Sequence, residues 1–281
     1  MRLNAGGDFY VRFWGVRGSV ACAGPDTLRY GGNTSCLEIR CGDDLLIFDA
    51  GTGIRYLGND LMKQGGVIDT HIFLTHTHFD HICGILFFAP FFIPGNRIEI
   101  ASGHLGDTMT TKHALSGLMM SPLFPVDMTV FNADLTFTDF TVGSVLRPRE
   151  GITLKTLRLH HTNGATGYRI EYQDKSICYI TDHEHGDEVA DQRLVSFIEG
   201  ADIVIYDATY TDEEYLKNHV GWGHSTWQQG ARFCDMANVG TYVVFHHDPD
   251  HDDDFMDQVA EDASARRPGT IVAREGMILK P

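Results

Sequence analysis

The chain has 281 residues, 43% of them hydrophobic, with 22 Lys and Arg against 38 Asp and Glu for a net charge of −16. That composition supplies ample apolar material for one large core and excludes a disordered, collagen-like or coiled-coil chain. A surface of this sign repels long nucleic acid and anionic lipid, so the expected partner is a small molecule.

Six cysteines, at positions 22, 36, 41, 83, 178 and 234, form no CxxC pair, the pattern of free thiols in a reducing compartment. The opening MRLNAGGDFYVRFWG lacks the apolar run of a signal peptide. The longest apolar run, Ile82 to Pro94, is too short to span a bilayer and is cut by Pro90. A soluble cytoplasmic protein without a membrane partner is expected; an oligomer, if formed, would be a two-fold dimer.

In chain order, strands are predicted at FYVRFWGV from Phe9, SCLEIR from Ser35, LLIFDA from Leu45, HIFLTH from His71 and RIEIAS from Arg97. Further strands follow at ITLKTLRLH from Ile152, GYRIEY from Gly167, SICYITD from Ser176, ADIVIYDA from Ala201, TYVVFHH from Thr241 and TIVARE from Thr270. Several are almost wholly apolar, as strands covered on both faces are. Helical spacing marks 53–64 and 187–199. Thr211 with Glu214, and Ser225 with Gln228, read as capping boxes opening two more helices. A last helix from about Asp252 to Arg267 places Phe255, Met256, Val259, Ala260 and Ala263 on one face, so the acidic run HDPDHDDD reads in part as a helix start. No repeat or linker appears. Residues 1–281 are expected to form one α/β domain of two sheets with helices outside, and 103–150, broken by SPLFPV, an insertion that shapes a site.

The chemistry concentrates in Leu74-Thr75-His76-Thr77-His78-Phe79-Asp80-His81, where three histidines and one aspartate directly follow an apolar strand. A tight loop at a strand end can turn all four side chains to one point, and imidazole nitrogen with carboxylate oxygen is the donor set that zinc and similar divalent ions take. Other strand ends offer more donors: Asp49, the doublet His160–His161, Asp182, Asp207 and the doublet His246–His247. Each alone fits a cap or turn residue; their recurrence at strand ends points to one shared centre.

HTHFDH resembles the HxHxDH signature of the metallo-β-lactamase fold, and the resemblance runs over nearly the whole chain. FDAGTG is similar to the family's first motif. YDATY, GHSTW and FHHDP resemble the later motifs of its ribonuclease Z-like phosphodiesterase branch, and WGVRGSVACAGPDTLRYGGNTSCLEI resembles bacterial members of it, often cyclic-nucleotide or other small phosphodiesterases. The resemblance implies a four-layer αβ/βα sandwich of two mixed sheets. It also implies two metals, one on His76, His78 and His161, the other on Asp80, His81 and His246, with Asp182 bridging. Asp49 is then expected behind the site, orienting the ligand loop. His224, oriented by Asp207, is the implied proton donor, and Asp80 and Asp207 join it as catalytic residues.

The expected activity is hydrolysis of a small cyclic or linear nucleotide-like phosphodiester with two divalent ions, zinc before manganese or iron. His78 in place of Glu disfavours a di-iron reductase, Asp182 in place of Cys disfavours lactam hydrolysis, and the lack of a long basic Gly-Pro-rich arm disfavours tRNA. A thioester or lactone hydrolase is the same-class alternative. A non-catalytic metal-binding sensor is the other, and intact ligand positions argue against it. Weaker candidates are His183 and His185, for substrate contact or as exposed turn residues, and Arg17 with Asn33-Thr34-Ser35, which resemble the branch motif or simply fix the first strands. His104, His113, Phe87–Phe88 and Phe91–Phe92 are candidates for a pocket, with core packing the plainer reading of the aromatics. Cys83 reads as a small buried side chain.

Overall fold

The computed structural model describes residues 8–281, so the first seven residues of the opening MRLNAGGDFYVRFWG lie outside the described residues. The first sheet contains β1 (Phe9–Gly15), β2 (Cys36–Cys41), β3 (Asp44–Phe48), β4 (Asp69–Leu74), β5 (Arg97–Ser102) and β6 (Asp134–Asp139). The second contains β7 (Val145–Leu146), β8 (Thr153–Leu159), β9 (Ala165–Tyr172), β10 (Lys175–Ile180), β11 (Ile203–Asp207), β12 (Thr241–Phe245) and β13 (Ile271–Val272). The closing strand β14 (Ile278–Leu279) returns to the first sheet, whose order is β14-β1-β2-β3-β4-β5-β6; the second runs β13-β12-β11-β10-β9-β8-β7.

The sheets face each other across an aromatic-rich core that includes Phe13, Phe48, Phe73, Tyr168, Tyr179 and Phe245. Two further cores lie outside them. α1 (Ile54–Gln64) buries Ile54, Leu57, Gly58 and Leu61, an i, i+3, i+4, i+7 stripe, against the first sheet. α4 (Glu188–Ile198), α6 (Trp227–Met236) and α7 (Asp253–Arg266) cover the second. The layers are therefore helix, sheet, sheet, helix, as expected. Covering on both faces is why β11 is buried throughout and reads as an unbroken apolar run. Truncating such a side chain, Ile205→Ala for example, costs about 2–5 kcal/mol.

Parallel pairing sets the site. Phe48 pairs with Phe73 in β3 and β4, and Ile180, Tyr206 and Val244 stand in line across β10, β11 and β12. Parallel strands in register release their chains at one edge, so the residues after β3, β4, β10, β11 and β12 emerge side by side.

Two local expectations change. Within 103–150, β6 extends the first sheet in parallel with β5. Its residues are partly or wholly exposed, so this edge strand lacks the apolar run that marked the others. The cap of α6 is Thr226, whose hydroxyl accepts from Gln229 N, rather than Ser225. Ser225 is buried and accepts from Tyr206 OH instead. The Thr211–Glu214 capping box forms as expected and opens the single-turn α5 (Asp212–Glu214). Among the described residues all six cysteines are unpaired, and no helix is long and apolar enough to cross a membrane.

Candidate metal centre

Six strand ends converge between the sheets. The β4 exit carries His76, His78 and a one-turn helix α2 (Phe79–Ile82) that presents Asp80 and His81. The exits of β8, β10 and β12 bring His161, Asp182 and His246. Asp49, Asp182 and His246 take φ of 59°, 57° and 63°, a left-handed turn that costs a non-glycine residue about 1–3 kcal/mol and swings each side chain off the strand line.

The donors fall into two quartets sharing one carboxylate. In the first, His161 Nε2 is 3.0 Å from His78 Nδ1 and 3.6 Å from Asp182 Oδ1, and His76 Nε2 is 3.7 Å from that same oxygen. In the second, His81 Nε2 is 3.2 Å from Asp80 Oδ2, 3.2 Å from Asp182 Oδ2 and 3.3 Å from His246 Nε2. His246 Nε2 is 3.4 Å from both Asp80 Oδ2 and Asp182 Oδ2. Ligands at 2.0–2.1 Å from a tetrahedral ion stand about 3.4 Å apart, so both sets have the spacing of a coordination shell.

Tautomers make the fit stricter. His81 Nδ1 donates to Asp49 Oδ2 at 2.8 Å, His161 Nδ1 to Gly223 O at 2.7 Å, and His246 Nδ1 to Thr209 Oγ1 at 3.0 Å. Each neutral ring then points an Nε2 lone pair at other acceptors, and His76 Nε2 is buried with no hydrogen-bond partner. Acceptors crowded on acceptors are stable around a cation. The residues present fit two divalent ions.

Electrostatics agree. Burial lowers the pKa of His76, His78 and His161, which favours neutral imidazoles. Burial would raise the carboxyls of Asp80 and Asp182, yet His81 and His246 hold both well below the usual carboxylate range. His81 is the exception: burial lowers its pKa but Asp80, Asp182 and Asp49 drive it above its ordinary value, so this ring is a neutral donor only where a cation takes the proton's place beside those carboxylates.

The histidine doublets divide. His161 and His246 face the cluster, while His160 is exposed with Nδ1 3.0 Å from Glu184 O, and His247 is buried with Nε2 2.9 Å from Ala273 O. Beside the first quartet, His224 Nδ1 donates to Asp207 Oδ2 at 2.9 Å. Asp207 is fully buried and also accepts from Thr209 N and Oγ1.

The weaker candidates spread out. His183 is buried on Asp191, His185 accepts from Ser225, and neither reaches the donor clusters. His113 is exposed on α3 (Thr111–Ser116). Arg17 is buried and donates to Gly31 O, Asp248 O and His251 O, a brace between loops. Phe88 and Phe91 are core, Phe87 and Phe92 exposed. Cys83 is half-buried beside Thr34.

Several supporting residues escaped the sequence reading. Thr75 donates to Asp49 through N and Oγ1, and Tyr179 OH reaches Asp49 Oδ2 at 2.8 Å. Ser19 N donates to Asp80 Oδ2 at 2.8 Å. A Cβ on Gly18 would fall 2.4 Å from the His246 ring, and one on Gly223 2.5 Å from His161 Nδ1, so both rings rest on bare backbone. Gly18 lies in WGVRGSV and Gly223 is the first residue of GHST, the one signal that could have found them.

A family model described as a β-lactamase superfamily domain matches residues 46–247. Ribonuclease Z of Haloarcula marismortui is 22% identical over 95% of this chain and 95% of its own. Among solved structures, the metallo-β-lactamase fold protein YhfI of Bacillus subtilis superposes with a TM-score of 0.73 at 18% identity, covering 97% of this chain and 99% of that one. The short form of human tRNase Z gives 0.66 at 20% identity over 96% and 98%. The chain belongs to the β-lactamase superfamily and has the metallo-β-lactamase fold.

Proposed function

We propose that the protein is a binuclear metal-dependent hydrolase that cleaves a small nucleotide-like phosphodiester. The observation that carries this reading is Asp182, which turns one oxygen to each donor quartet. His76, His78 and His161 would hold one ion, Asp80, His81 and His246 the other, with Asp182 between them. When bound, such ions supply Lewis-acid polarisation of the phosphoryl group and a water nucleophile at neutral pH. The residues support zinc, manganese or iron alike.

The chain's own part is orientation and proton transfer. Asp49 and Thr209 fix the tautomers of His81 and His246, so their Nε2 atoms stay available. Asp207 does the same for His224 and leaves its Nε2 as the nitrogen available for proton transfer. Burial lowers the His224 pKa, but Asp207, with Asp182 and Asp80, raises it to about 9. The imidazolium can therefore hand a proton to a departing alkoxide oxygen. A cleft of about 490 Å³ opens beside His76 and His78, with residues 104–109 on one side. It suits a small ester.

The names of the relatives favour a second reading, an RNA phosphodiester; the net charge of −16 speaks against a long strand. A thioester or lactone would use the same water nucleophile but needs an acid less, so the Asp207–His224 pair favours the phosphodiester. The test is metal analysis of the purified protein coupled to a screen of cyclic nucleotides, bis(p-nitrophenyl) phosphate, thioesters, lactones and a tRNA precursor. Turnover confined to carbonyl esters, or to the RNA, would overturn the reading.

A further inference from the structure

Most arginines of this acidic protein are engaged by a partner. Among the described residues Arg55, Arg158 and Arg193 make no hydrogen bond and no ion pair, while the others donate to carboxylates, hydroxyls or backbone carbonyls. Arg55 sits over the Tyr56 ring. Arg158 is different because of where it stands. It is exposed near the end of β8, three residues before His161, and lines the same cleft as His76 and His78.

Its guanidinium lies over Gly164, where a Cβ would come within 2.4 Å of Nη2. The turn that follows β8 therefore leaves room for the group to rest on backbone. Thr77, Thr108 and Asn163 supply further polar groups to the lining, and His104, buried and within 3.0 Å of Thr77 Oγ1, closes the inner wall. The one carboxylate in that lining, Asp107, forms no ion pair with Arg158. A cleft of similar size at the opposite end of β8 and β10 makes the contrast: there Lys175 is bound to Asp202, and Arg169 to Glu171. Its charges satisfy each other, whereas the cleft at the metal centre keeps a fork of N–H donors uncommitted.

We propose that Arg158 binds a second phosphate group of the substrate, which makes the preferred substrate a phosphodiester bearing an additional phosphate on the part that fills this cleft. This rests on the phosphodiesterase reading above and specifies its substrate. A planar guanidinium offers two parallel N–H bonds to phosphate oxygens. The phosphodiester itself would lie at the ion clusters, so the two anionic groups are read by separate parts of the site.

The test compares thymidine 5′-phosphate with thymidine 3′,5′-bisphosphate as ligands of the metal-loaded protein, by titration calorimetry. Wild type should prefer the bisphosphate roughly tenfold, and the preference should shrink with added salt. Arg158→Ala should remove the preference while leaving 5′-phosphate affinity within about twofold, because Arg158 touches no donor of the metal centre. Arg158→Lys should keep part of it. Arg193→Ala, an unpaired arginine on α4 away from the cleft, should keep all of it. Equal affinities in wild type, survival of the preference in Arg158→Ala, or equal loss in Arg193→Ala would each overturn the proposal. Turnover of thymidine 5′-(p-nitrophenyl phosphate) is followed in parallel. Its absence would count against the phosphodiesterase reading, while the binding comparison still decides the role of Arg158.

Discussion

Asp49 Oδ2 lies 2.8 Å from His81 Nδ1, and that contact decides which nitrogen of His81 faces the donor cluster. Asp49 also accepts from Thr75 N, Thr75 Oγ1 and Tyr179 OH, all buried, so it ties the β4 exit loop to the second sheet. Asp49→Asn keeps the shape but offers an amide where two acceptor oxygens stood. It should lower metal affinity about 10–100-fold, read by competition with a chelating dye. Asp49→Ala is the poorer probe, since each buried donor left without a partner costs about 1–3 kcal/mol of stability. Unchanged affinity in Asp49→Asn would mean that His81 does not depend on this carboxylate.

The two quartets predict two ions per chain. Elemental analysis should return about two equivalents in wild type, and His76→Ala or Asp80→Ala should lose both metal and turnover. Chelation should also lower the melting temperature, because the lone pairs and carboxylates that face one another lose the cation between them. One tightly held ion at full activity would refute the binuclear arrangement.

How much of this was legible depended on contiguity. HTHFDH announces itself because its donors sit within six residues after an apolar strand, and a short loop needs no distant partner to gather them. Asp182 and His246 were legible for a related reason. Their strands are buried on both faces, so the apolar runs stop visibly where the chain leaves the sheet. The edge strand β6 had no such run and was missed. Thr209 and Tyr179 were invisible for another reason. A hydroxyl in a strand or turn has many uses, and only pairing in three dimensions puts Thr209 Oγ1 on His246 Nδ1. The α6 cap slipped by one residue because Ser225 and Thr226 are chemically interchangeable as caps, and packing against Tyr206 chose between them.

The doublets give a sharp contrast for the assignment. His161→Ala and His246→Ala should lose metal, whereas His160→Ala and His247→Ala should keep most of it. His247 is buried and bonded to Ala273 O, so its removal should cost stability instead. Metal loss in His160→Ala with retention in His161→Ala would mean that the exit of β8 is off by one residue.

The last prediction concerns the proton donor. His224 Nδ1 is occupied by Asp207, so proton transfer must use Nε2. His224→Ala should retain both ions yet lose about 10²–10⁴-fold in kcat. The loss should be much smaller for a nitrophenyl ester, whose leaving group departs without a proton. The pH profile gives an independent reading. A general acid works while protonated, so kcat should fall as pH rises through the His224 pKa, which burial lowers and the neighbouring carboxylates raise to about 9. Cations on Asp182 and Asp80 offset part of those charges, so the alkaline limb of the loaded enzyme should lie below 9. Asp207→Asn removes the largest raising charge and should move that limb to still lower pH, with a smaller loss of kcat at acidic pH than at neutral pH. Equal losses in His224→Ala for activated and unactivated esters, with no shift of the limb in Asp207→Asn, would exclude the acid role and leave His224 as a group that only positions the substrate.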